Sequence, residues 1–118
     1  MYMNNAVESI LDKIKKEGLI PMNKPYNVIQ DNLSKCTMVI NHILSMTCDL
    51  MYKVDVSEYF NLVMIRIDTQ DFGPEACVHY INTCKKFKET FTESGIEVNV
   101  AIMLGDIGKN EYVVSTLY

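Results

Sequence analysis

The chain reads as one α+β domain with an α/β-like βαβ core. Its expected order is α-α-β-α-β-β, with three helices packing a small three-stranded mixed sheet. Three observations carry this reading. Apolar residues recur at helical spacing in three stretches, one of them a long heptad series. Runs rich in β-branched and aromatic residues occur at 58–68, 96–104 and 111–117. Gly and Pro punctuate the joins, at Gly18, Pro21, Gly73-Pro74, Gly95 and Gly105.

The first helix is expected over 5–17. Asn5 and Glu8 have the spacing of a capping box, Val7, Ile10, Leu11 and Ile14 form one apolar stripe, and Gly18 supplies the stop. A connector with Pro21 and Pro25 follows. The second helix is expected over 26–53. Its seam of Ile29, Leu33, Cys36, Ile40, Ile43, Thr47, Leu50 and Val54 is spaced 4-3-4-3-4-3-4, the heptad pattern of a packed helix. Val39, Leu44, Met46 and Met51 widen it beyond a two-stranded seam.

Asp55 and Ser57 suggest a turn, and 58–68 a strand whose Leu62–Ile65 run suits burial on both faces. The third helix spans 74–94, opening with Pro74 and Glu75 and closing before Gly95. Its stripe is Cys77, Tyr80, Ile81, Cys84, Phe87 and Phe91. Residues 96–104 alternate as a strand, Gly105–Asn110 forms a hairpin turn, and 111–117 returns as the last strand. The strands flanking the third helix should be parallel, and the last antiparallel to its neighbour. The long helix should cover the sheet face opposite the third helix, or pack on a neighbouring subunit.

Composition narrows the function classes. Apolar residues make up 48% and charged residues 22% of 118, ordinary globular usage. The formal net charge is −4, so nucleic acid, whose phosphates need a positive field, is not an expected partner. A membrane is not an expected partner either, because no apolar run approaches a span. With no secretory signal pattern, a cytoplasmic setting is expected, with Cys36, Cys48, Cys77 and Cys84 as free thiols.

Candidate chemistry is sparse. Asp68 and Asp106 follow the two central strands, and Asp71 lies nearby. Together at the carboxyl edge of a parallel pair, they would form a divalent-cation or catalytic cluster. Each also suits a turn or a helix start, and no phosphate-cradling loop accompanies them. Cys77, His79 and Cys84 lack metal-ligand spacing, as do Cys36, His42 and Cys48, because both sets spread round a helix. Lys85, Lys86 and Lys88, with Lys13, Lys15 and Lys16, read as solvated faces. No cofactor is expected.

The leading expectation is therefore a non-enzymatic interaction module, a homo-oligomer or a binder of another protein. Its interface would be the apolar helix through Ile29, Leu33, Cys36, Ile40, Ile43, Leu44, Leu50 and Met51. The alternatives are a small inhibitor or adaptor, such as a phage-type counter-defence protein, and a metal- or ligand-binding enzyme using Asp68 and Asp106.

Overall fold

A computed structural model describes residues 26–69 and 73–118. The helix expected at 5–17 lies outside the described residues. Those described form α1 (Tyr26–Thr47), β1 (Tyr52–Ser57), β2 (Leu62–Asp68), α2 (Pro74–Glu93), β3 (Asn99–Asp106) and β4 (Glu111–Leu117). The strands make a four-stranded mixed sheet in the order β1-β2-β3-β4. β2 and β3 run parallel, and both outer strands run antiparallel to their neighbours.

This corrects the expected three helices on a three-stranded sheet: the described order is α-β-β-α-β-β, with two helices and four strands. The difference turns on Val54. That residue continues the heptad spacing from Leu50, and it also alternates with Lys53 and Asp55 in a period-two pattern. The period-two pattern wins. α1 ends at Thr47 rather than 53, its last backbone bond running from Cys48 N–H to Leu44 O at 2.8 Å. Residues 52–57 are a strand. The turn lies later, where Asn61 N–H donates to Glu58 O and Asn61 takes φ of 49°, a value tolerated best by Gly and Asn. β2 therefore starts at Leu62 rather than 58. β3 likewise starts at Asn99 rather than 96, because Ile96 N–H still satisfies Phe91 O at the end of α2.

A second correction concerns the layers. α1 does not cover the face opposite α2. Val63, Ile65 and Ile67 of β2, with Val100, Ile102 and Leu104 of β3, share one cluster with Ile29, Leu33, Cys36, Ile40 and Leu44 of α1 and with Cys84, Phe87 and Phe91 of α2. Both helices lie on the same face. The fourth strand explains why there is room: at about 4.8 Å per strand the sheet is roughly 19 Å wide, enough for two helices about 10 Å apart. On the other face, Met103 groups with Ile107 and Tyr112, and Leu62 with Ala101.

β4 meets β3 with a register shift between Leu104 and Gly105. A Cβ at Gly105 would stand 2.3 Å from Glu111 O and 2.6 Å from the Cα of Tyr112, both backbone atoms that cannot swing aside. Gly105→Ala should therefore cost about 2 kcal/mol through overpacking. Gly73→Ala, where nothing lies within 4 Å, should stay within about 0.5 kcal/mol of the parent. Urea denaturation of both variants checks the contrast.

Candidate functional site

The eight residues expected to form an interface do not share one environment. Ile29, Leu33, Cys36, Ile40 and Leu44 are buried against the chain's own sheet. Ile43 and Leu50 are half-buried beside that core, and only Met51 is freely exposed. The heptad seam thus serves internal packing. The apolar surface that α1 leaves to solvent is a different set: Val28, Val39 and Met46 on one stripe, and Met38 on another. Spacing at 100° per residue separates these from the seam.

Met38 stands over an open groove of about 520 Å³ between α1 and the edge strand β1. Gln30, Leu33, Ser34 and Thr37 complete the helix wall, and Val54, Asp55, Val56 and Glu58 the strand side. Met38 is 71% exposed and Val56 41%. Glu58 accepts a hydrogen bond from Gln30 across the groove at 3.1 Å. A smaller notch of about 220 Å³ lies between the helices at Ile43, Phe87 and Thr90.

On the sheet face away from the helices, Arg66 pairs with Asp55 of β1. Partial burial pulls the Arg66 guanidinium down, but the neighbouring Asp55 and Tyr112 outweigh that, and the net shift is upward. Lys53 sits directly opposite Arg66 in the β1–β2 register.

The carboxylates expected at the sheet edge are not brought together. Asp68 continues the face of Met64 and Arg66. Asp106 follows Leu104 and so alternates onto the helix side, where its Oδ1 accepts from Lys109 N–H at 3.3 Å and closes the β3–β4 turn. Asp71 lies outside the described residues. Among those described, no group of three His, Cys, Asp or Glu side chains is placed to hold a metal ion. The Cys and His sets are dispersed too. Cys36 and Cys84 are buried, whereas His42 and His79 are exposed, the latter with its ring edge-on to Tyr80. The three lysines of α2 diverge: Lys85 lies over the Tyr118 ring, Lys88 donates to Val98 O, and Lys86 is exposed. Lys13, Lys15 and Lys16 lie outside the described residues. No described helix is long and apolar enough to cross a membrane.

What residue patterning misses is the β1 edge. The signal is present in Tyr52-Lys53-Val54-Asp55-Val56, a clean alternation masked by the preceding heptads. The chain matches no family model, no curated protein and no solved structure.

Two outcomes follow from the burial pattern. Ile40→Ala should cost about 3 kcal/mol, and Ile40→Glu should leave no folded protein, whereas Met38→Ser should fold normally; thermal unfolding followed by circular dichroism separates them. Burial also pushes the thiol of Cys36 up to about 11 and that of Cys84 up to about 12. An alkylating reagent at neutral pH should therefore modify the half-buried Cys48 and Cys77 first. Cys36 and Cys84 should react only after denaturation, as peptide mass spectrometry would read.

Proposed function

We propose that this chain is a non-enzymatic protein–protein interaction module that associates with itself and needs no cofactor. One observation carries the reading. α1 already has its heptad seam satisfied by the sheet, yet the groove beside it keeps apolar side chains on both walls, Met38 from the helix and Val56 from the edge strand. Apolar groups on opposite walls of a groove gain by excluding water when a surface closes on them. The groove runs along an outer strand, so a partner reaches both the side chains and the edge backbone.

The seam residues themselves are not the contact surface in this reading. Their substitution reports on folding, and association is read only from residues that stay exposed. The carboxylate chemistry that an enzyme would need is not assembled by Asp68 and Asp106, which lie on opposite faces of the sheet.

Native mass spectrometry of freshly purified protein, with sedimentation at rising concentration, tests the proposal. A dimer or larger assembly without added mass is the expected result. A species that stays monomeric at high micromolar concentration overturns it, and a monomer carrying a metal or small-molecule adduct would turn attention to ligand binding instead.

A further inference from the structure

The backbone of β1 bears on how a second copy would dock, a question that rests on the self-association reading above. The Asp68 N–H donates to Met51 O at 2.9 Å. With the β1–β2 register of Tyr52 opposite Ile67, this fixes the alternation of an antiparallel ladder. Lys53, Asp55 and Ser57 turn their backbone groups toward β2. Tyr52, Val54 and Val56 turn theirs outward, and among the described residues no strand lies on that side. The N–H and C=O of all three therefore lie in an unbroken outward row, with no Pro and no bulge. The opposite edge is different, because β4 carries the register shift at Leu104/Gly105 and turns Val113 out to solvent. A bulge of that kind spoils a pairing edge.

The side chains of β1 say which strand fits. Lys53 and Asp55 are exposed on the face away from the helices. Lys53 faces the like-charged Arg66 across the ladder, and Arg66 has turned diagonally to Asp55. Among the described residues Lys53 makes no ion pair. A carboxylate on its outer side would offset the neighbouring cation.

We propose that two copies of this chain pair antiparallel through β1, with Val54 of one opposite Val54 of the other. A two-fold axis then passes through that pair. Tyr52 of each copy exchanges backbone hydrogen bonds with Val56 of the other. Lys53 of each lies across from Asp55 of the other, in the closer, non-hydrogen-bonded position where side chains interact most. The two four-stranded sheets become one continuous sheet, with the two α1 grooves side by side and Met38 and Val56 covered. The charge order also rejects the alternatives. A parallel, in-register pairing sets Lys53 against Lys53 and Asp55 against Asp55, and a one-residue slip sends every side chain to the wrong face.

Charge exchange tests the register. Lys53→Asp sets a new carboxylate opposite Asp55 twice in a homodimer, and Asp55→Lys places two lysines together twice. Both positions are exposed, and circular dichroism confirms that each variant folds. Each alone should raise the dimer dissociation constant about tenfold or more, and a one-to-one mixture should recover the parent affinity as a heterodimer. Hydrogen exchange adds a readout at single residues: the amides of Tyr52, Val54 and Val56 should become protected as concentration rises. If both variants dimerise as tightly as the parent and those amides stay fast, the β1 register is overturned while self-association stands. A parent chain that is monomeric throughout overturns both.

Discussion

The parallel pairing of β2 with β3 is the constraint on which the rest of the structure depends. Val63 lies beside Val100, Ile65 beside Ile102, and the ladder continues through Ile67 and Leu104, all on one face. A parallel pair cannot close with a short turn. It needs a crossover, and the crossover is α2, which brings Cys84, Phe87 and Phe91 back over β3. That side of the sheet is then half covered. The remaining half, over β1 and β2, is filled by the seam of α1. Remove the apolar ladder and neither helix has a surface to bury against.

The same alternation that builds the core sorts the charged groups. Each residue of a strand faces opposite to its neighbours, so one parity meets the helices and the other does not. Arg66, Asp55 and Lys53 fall together on the second face because their strand positions share a parity across the β1–β2 register. Asp68 and Asp106, close in topology at the ends of two adjacent strands, are parted by the same rule. A reading by strand ends alone puts them in one cluster. Counting positions along each strand shows them on different sides.

Legibility in the sequence followed how many periods a segment could satisfy. The stripe from Cys77 to Phe91 fits only a helix, and α2 spans Pro74–Glu93, one residue short of the range read from it. Residues 111–117 fit only a strand, and β4 occupies them. Val54 fits two periods, and only the end of α1 at Thr47 decides between them. Residues 96–98 extend an alternation that the cap of α2 has already claimed. The candidate site is less legible for a different reason. An apolar stripe says that Ile29, Leu33 and Ile40 need a neighbour, but periodicity is silent on whether that neighbour is the chain's own sheet or a second chain. The width of the sheet decides it, and that width depends on the strand at 52–57, where the two periods compete.

An edge strand carries an intrinsic hazard, since its outward backbone groups will pair with any extended chain. Charged side chains on the edge are a common protection, and Lys53 with Asp55 provides one here against most partners. Opposite signs two residues apart do something further. In the antiparallel register centred between them, the strand is its own complement, while a chain lacking that spacing leaves a charge facing nothing or facing its like. In the proposed pairing, the feature that guards β1 against indiscriminate partners would thus also be the one that favours a second copy of itself. Met38 and Val56, exposed beside it, would add apolar contact to that pairing once the backbone register was made.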